Sequence, residues 1–226
     1  MAFNKEVFKT RTLTALVFAA VMLIGLLWNR WSLTALFIII HFGCWYEFIK
    51  LIKKIYNEKY IPYLLLGLIY ISMPIAMFID LRFDNIIYKG QFIFIDLGYV
   101  IPCTIIFSIW ANDTLAYIVG SLIGKTPFSK ISPKKTWEGT AGGALLSVAL
   151  IGYVGYLIHD FKTAAIIAAI CAVFGTLGDL LESKIKRMAN VKDSGSFMPG
   201  HGGFLDRFDS FLIAVPFVWL YLKLFV

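Results

Sequence analysis

The chain has 226 residues, 59% of them hydrophobic and 15% charged, with a mean hydropathy of +0.78 and a net charge of +7. A charged fraction well under the quarter usual in soluble domains, with apolar runs of about 17 to 22 residues that match a hydrocarbon core of about 30 Å, excludes a water-soluble globular domain. It predicts an all-α polytopic membrane helix bundle. Basic residues at a membrane surface attract anionic lipid and set topology. They are not interleaved with aromatic residues in the manner of a nucleic-acid surface, so the expected partner is membrane lipid and no nucleic acid.

Lys5, Lys9 and Arg11 precede the apolar run Leu13 to Trp28. This arrangement resembles a signal peptide, but Trp28-Asn29-Arg30-Trp31 offers no small-residue cleavage site, so the run is expected to be retained as a first span. Seven transmembrane helices are predicted, over 12–28, 32–51, 61–79, 98–119, 138–158, 163–182 and 206–225. The stretch 92–124 is long enough for its first part to lie at the membrane interface. No internal repeat supports an inverted-repeat transporter. The span from Glu138 carries Gly139, Gly142, Gly143, Gly152 and Gly155, and the next carries Ala164, Ala165, Ala168, Ala169, Gly175 and Gly178. These small residues read either as tight packing of the two helices or as part of a site. Cys44, Cys103 and Cys171 lie in apolar stretches without ligand spacing and read as small buried apolar residues.

With a cytoplasmic N-terminus, sixteen basic residues fall inside: Lys5, Lys9, Arg11, Lys50, Lys53, Lys54, Lys59, Lys125, Lys130, Lys134, Lys135, Lys184, Lys186, Arg187, Lys192 and Arg207. Five fall outside: Arg30, Arg82, Lys89, Lys162 and Lys223. This positive-inside bias puts the polar segments 120–137 and 183–205 in the cytoplasm.

Acidic residues are few, so their positions carry information. Asp179 and Glu182 stand at i, i+3 at the cytoplasmic end of the sixth span, and Asp206 and Asp209 at i, i+3 where the seventh begins. The loop between these spans allows the two pairs to converge at one rim. Carboxylate oxygens are the hard ligands that Mg²⁺ prefers, one or two per ion with phosphate and water completing the octahedron. Ionisable groups at membrane depth are expensive and usually functional. Between the pairs run Lys192-Asp193-Ser194-Gly195 and Pro199-Gly200-His201-Gly202-Gly203, a glycine-rich turn able to present N–H groups to phosphate. His201 reads either as a cap of that turn or as a site residue. The loop Ser132-Pro133-Lys134-Lys135-Thr136-Trp137-Glu138-Gly139 lacks the glycines of a Walker A sequence, yet beside a metal it offers Lys and Ser/Thr donors to a polyphosphate. Asn112-Asp113-Thr114 interrupts the fourth span and reads equally as a water-filled cavity or as a polar helix–helix contact. A metal, phosphate donors and a lipid-accessible site suggest phosphoryl or nucleotidyl transfer onto a membrane lipid.

At these residues the sequence resembles the phosphatidate cytidylyltransferase (CDP-diacylglycerol synthase) family. Ser183, Lys186, Arg187, Lys192, Asp193, His201, Gly202, Gly203, Asp206, Arg207 and Asp209 stand at the spacing of the family signature. Asp113-Thr114-x-Ala116-Tyr117-x-x-Gly120, Ser132-Pro133-x-Lys135-Thr136-Trp137-Glu138-Gly139 and Gly178-Asp179-Leu180 resemble it upstream. Leu115 stands where a glycine is common, and Met198 where Leu, Ile or Phe is usual. The resemblance covers about 105–215; the earlier spans match it only in hydrophobic character.

The resemblance implies an enzyme that converts CTP and phosphatidate to CDP-diacylglycerol and pyrophosphate in phospholipid synthesis. A phosphatidate oxygen attacks the α-phosphorus of CTP in line, with no covalent intermediate. It implies Mg²⁺ at Asp179 and Asp206 with Asp209 nearby, a second cation such as K⁺, and a homodimer. Lys186, Arg187, Lys192, Asp193, His201 and Arg207 fall in its catalytic segment. Asp113, Ser132, Lys135, Thr136, Glu138, Ser183, Gly202 and Gly203 fall among its substrate-binding positions. Residues 1–95 then form N-terminal transmembrane helices and 96–226 a C-terminal catalytic transmembrane region of one integral unit. The expected location is a bacterial inner (plasma) membrane with the site facing the cytoplasm. A polyprenol-type lipid kinase using CTP or ATP is the alternative enzyme, and an ion transporter using Asp113 and Asp179 the alternative outside catalysis.

Overall fold

The structure, a computed structural model, describes residues 5–84, 87–89, 94–129, 131–158, 160–198 and 202–226. Among these, six helices are long and apolar enough to cross a membrane, and Thr12–Leu27 is a shorter apolar one. Every predicted span is helical, and the all-α class holds. The only extended pairing among named strands in the described residues is a short antiparallel hairpin, β1 (Ile87–Lys89) against β2 (Phe94–Asp96).

α1 (Lys5–Leu27) and α2 (Arg30–Tyr56) are joined through Trp28 and Asn29. Asn29 caps α2: its Oδ1 accepts from the N–H groups of Trp31 and Ser32, both at 2.8 Å, and Ser32 Oγ accepts from Asn29 N–H at 3.0 Å. These bonds satisfy donors that a helix start leaves open. α2 outruns its predicted end and stops at Asn57, whose φ of 50° breaks the helix. The predicted third span is not one regular helix. It runs through a 3₁₀ turn at Ile61–Leu64, α3 (Leu65–Gly67), a π turn at Leu68–Ser72 and α4 (Met73–Phe83). Pro74 has no N–H for the carbonyl one turn back, which accounts for the widened ladder just before it.

α5 (Leu97–Ile123), α6 (Trp137–Ile158), α7 (Phe161–Met188) and α8 (Leu205–Phe225) complete the chain. Thr136 caps α6, accepting from Gly139 N–H at 3.1 Å, and Asp160 caps α7, accepting from Thr163 N–H at 2.7 Å. α7 ends where Asn190 takes φ 53° and Val191 N–H returns to the Lys186 carbonyl at 3.0 Å.

The chain forms two compact units, residues 1–72 with 185–208, and residues 73–184 with 209–226. In the first, Leu33, Phe37, Cys44 and Phe48 of α2 are buried with Met22 and Leu26 of α1, and the Phe208 ring meets Phe18 and Phe37 edge to face, each at 6.1 Å. In the second, Ile151, Ala164 and Ala168 form a core with Ala111 and Val148 packed on it. Lys223 of α8 pairs with Asp84 and, at 3.4 Å, with Asp80 of α4. Cys44 and Cys171 are buried as expected, while Cys103 is half-buried.

The small residues of α6 serve two neighbours, not one. Gly152 and Gly155 face Phe161, Ala164 and Ala165 of α7, whereas Gly139 and Gly143 face Ala116 and Gly120 of α5. A Cβ on Gly143 would stand 2.5 Å from the Ala116 nitrogen, so backbone lies against backbone there. Gly143→Val is therefore expected to destabilise the protein by about 1–3 kcal/mol, read as a lower melting temperature in detergent. Leu145→Ala, on an exposed face of the same helix, is expected to stay within about 0.5 kcal/mol of the parent.

Candidate functional site

The second unit holds a cavity of about 450 Å³. Its wall takes residues from three separated segments: Asn112 and Asp113 of α5, Ser132, Lys135 and Thr136 before and at the start of α6, and Asp179 of α7. Backbone pairing builds the middle segment. Phe128 N–H donates to the Lys135 carbonyl at 2.7 Å, Trp137 N–H donates to the Thr126 carbonyl at 3.0 Å, and the Phe128 and Trp137 rings pack at 4.4 Å. Glu138 braces this loop by accepting from Thr126 Oγ at 2.8 Å and from the N–H groups of Lys125 and Thr126 at about 3.2 Å. It is not among the residues lining the cavity.

Lys135 Nζ pairs with Asp179, and Ser183 Oγ donates to the other Asp179 oxygen at 3.2 Å. α7 and α8 touch at the backbone here, since a Cβ on Gly178 would overlap the Asp209 carbonyl oxygen. Half-buried Asp209 lies within charge–charge range of Asp179, Asp113 and Lys135. Asn112 is 5% exposed, and its Oδ1 has no hydrogen-bond partner among the described residues. A buried, open acceptor in a polar wall is suited to a ligand donor.

The first unit gathers a different set. Asp206, in the first turn of α8, receives Lys186 Nζ on Oδ1 at 2.6 Å. Its Oδ2 accepts from Gly203 N–H at 2.7 Å and from Ser194 N–H and Oγ, both at 2.9 Å. Gly202 holds φ 81° beside this carboxylate, a conformation open to glycine. Arg187 is exposed and donates to the Val191 carbonyl at 3.0 Å. Lys192, Asp193 and Arg207 are also exposed. A second cavity of about 610 Å³ is lined by Lys50, Lys53 and Lys54 at the end of α2 together with Asp193 and Ser194. His201, with Pro199, Gly200 and Lys130, lies outside the described residues.

Of the residues named from sequence, Asp113, Ser132, Lys135, Thr136 and Asp179 lie on the wall of the first cavity and Asp193 on that of the second; sequence reasoning passed over Glu47 on α2, whose carboxylate bonds Ser194 Oγ at 2.7 Å. The available signal was an acid inside the apolar run Cys44-Trp45-Tyr46-Glu47-Phe48. Among the described residues no cluster of three or more His, Cys, Asp or Glu side chains is arranged to hold a metal. Asp179 and Asp206 nevertheless present hard oxygen donors, each now balanced by a lysine. Either carboxylate alone is a donor that suits a Mg²⁺ ion completed by phosphate and water, since such an ion needs only one or two carboxylates.

Residues 90–225 match the model of the cytidylyltransferase family. The chain is 34% identical over 229 residues to a phosphatidate cytidylyltransferase of Rickettsia felis, covering 96% of this chain and 92% of that protein. It is 40% identical over 179 residues to one from Bacillus subtilis, covering 77% of this chain and 63% of that protein. It is 49% identical over 113 residues to one from Staphylococcus saprophyticus, covering 48% and 43%.

The two lysine–carboxylate pairs differ in burial, with side chains 12% and 10% exposed for Lys186–Asp206 and 29% and 25% for Lys135–Asp179. Lys186→Met strands a buried charge and is expected to cost about 3 kcal/mol. Lys135→Met is expected to cost about 1 kcal/mol or less. Thermal unfolding of both variants in one detergent checks the ordering.

Proposed function

The chain belongs to the phosphatidate cytidylyltransferase family, and we propose that it transfers CMP from CTP to phosphatidate in a bacterial inner membrane, at a site facing the cytoplasm. One observation carries the reading. The cavity of the second unit brings together Asp113, Ser132, Lys135, Thr136 and Asp179, residues of three signature segments far apart in the chain. The excess of basic residues in the loops assigned to the cytoplasm supports the orientation.

In the proposed reaction a phosphatidate oxygen forms a bond to the α-phosphorus of CTP, the bond from that phosphorus to the bridging oxygen of the β-phosphate breaks, and pyrophosphate leaves. Positioning and charge neutralisation do most of the work in such displacements. Lys135 and Lys186 hold ammonium charge for phosphate oxygens. Ser132 and Thr136 offer hydroxyl donors, and the open Asn112 Oδ1 accepts from a substrate donor. Asp179 in the second unit and Asp206 in the first are each proposed as oxygen ligands to Mg²⁺. When bound, that ion would neutralise the triphosphate and polarise its phosphorus. A second cation such as K⁺, and a homodimer, belong to the same reading.

Purified protein given CTP labelled at the α-phosphate, phosphatidate and Mg²⁺ is expected to yield a labelled lipid and release pyrophosphate. Release of CDP with phosphate carried to a lipid alcohol would establish the kinase reading instead. Ion flux through proteoliposomes without nucleotide dependence would favour the transporter. Asp179→Asn is expected to lower turnover by about 100-fold or more with the melting temperature preserved. Asp206→Asn is expected to lose turnover and stability together, because it leaves buried Lys186 without its carboxylate.

A further inference from the structure

Glu47 lies on α2, outside residues 90–225 that match the family model, and only 3% of it is exposed. A carboxylate buried at this depth persists only where donors meet it. Its donors come from the α7–α8 loop and the start of α8. Phe204 N–H reaches Oε1 at 2.9 Å, and Leu205 N–H and Ser194 Oγ reach Oε2 at 2.9 and 2.7 Å. The first N–H groups of a helix have no partner within it, and the positive end of its dipole favours an anion. Glu47 therefore caps α8 from another helix.

The same contact leads to Asp206. Ser194 Oγ lies between the two carboxylates, 2.7 Å from Glu47 Oε2 and 2.9 Å from Asp206 Oδ2, and Ser194 N–H donates to that Asp206 oxygen as well. The surroundings are cut to fit. A Cβ on Gly195 or on Gly203 would overlap the Glu47 carboxylate, and one on Gly43, a turn earlier on α2, would overlap the Phe204 ring.

We propose that Glu47 is a positioning residue for the transfer reaction: through Ser194 and the first turn of α8 it fixes the orientation of the Asp206 carboxylate. It touches no substrate and moves no proton. The proposal rests on the function given above for its kinetic consequence. Its structural part, that Glu47 holds Ser194 and the start of α8, stands apart from that function.

Three measurements on the full chain in detergent test it. Glu47→Gln keeps the size of the side chain but puts an amide NH₂ where one carboxylate oxygen accepted. It is expected to lower kcat about 10- to 100-fold, the scale of a misplaced catalytic group, with KM for CTP changed less than about 3-fold and the melting temperature within a few degrees of wild type. Hydrogen exchange of segment 194–206, measured without nucleotide or metal, is expected to quicken. Glu47→Gln combined with Ser194→Ala is expected to lose less than the product of the two single losses, because the Ser194 hydroxyl lies on the link between Glu47 and Asp206.

Unchanged exchange in Glu47→Gln overturns the proposal whatever the activity. So does a wild-type kcat with quickened exchange, or a double variant whose losses multiply. If Glu47→Gln does not fold, Glu47→Asp and Ser194→Ala carry the same measurements. Glu47→Asp, which retains the carboxylate, is expected to keep more turnover and more loop protection than Ser194→Ala; the reverse order in both overturns the proposal. If wild-type protein makes no lipid from CTP, the function above fails, and exchange alone decides whether Glu47 holds the loop.

Discussion

A buried carboxylate is costly unless donors or cations meet it, and that demand organises the surroundings of three acids in this chain. The penalty for an unmet buried ion is several kcal/mol, comparable to the net stability of a domain. Asp206 meets it with one lysine, two backbone N–H groups and a hydroxyl. Glu47 meets it with the N–H groups of Phe204 and Leu205, and the single Ser194 hydroxyl proton is shared between Glu47 and Asp206. Asp179 meets it with Lys135 and Ser183. Each solution draws on residues distant in sequence, so satisfying the acids also fixes loops that apolar packing alone would leave undetermined.

This demand changes what the glycines of the signature mean. Read as sequence, Gly195, Gly202 and Gly203 suggest a flexible turn offering N–H groups to phosphate. In the structure, Gly195 and Gly203 are places where a side chain would collide with Glu47, and Gly202 takes a positive φ against Asp206. The Gly203 N–H is already donated to Asp206. The glycines let two carboxylates approach the backbone closely. They shape the acids, whatever else the loop comes to bind.

The spans were legible in the sequence because hydropathy over about 20 residues is a strong signal, while their starts are set by side-chain caps such as Asn29 and Asp160 that hydropathy does not register. The segment 57–72 was not legible as 3₁₀, α and π turns, since its composition is that of any apolar span and only Pro74 hints at a disturbed ladder. The hairpin at 87–96 is too short to leave a pattern. The signature spacing named Lys135 and Asp179 of the second unit and Lys186 and Asp206 of the first, yet could not tell that each lysine pairs with the aspartate of its own unit. Glu47 escaped because no local pattern names its partners, which lie about 150 residues away.

The pairing of each key aspartate with a lysine bears on how a highly charged substrate can be accepted at a membrane surface. A bare lysine cluster would attract phosphate strongly but would be costly when empty, and a bare carboxylate pair would repel it. In the structure the ammonium and carboxylate groups neutralise each other, so neither is stranded at low dielectric. Under the proposed function, CTP arriving with Mg²⁺ brings both signs of charge, so lysine can turn to phosphate and aspartate to the cation while every group keeps a partner. The Lys135–Asp179 pair, the more exposed of the two and lying on the cavity wall, suits that exchange. The Lys186–Asp206 pair is less exposed, and Ser194 and Gly203 add further bonds to Asp206. The two pairs therefore differ in how readily they exchange partners, a difference set by burial and by the number of bonds each aspartate makes.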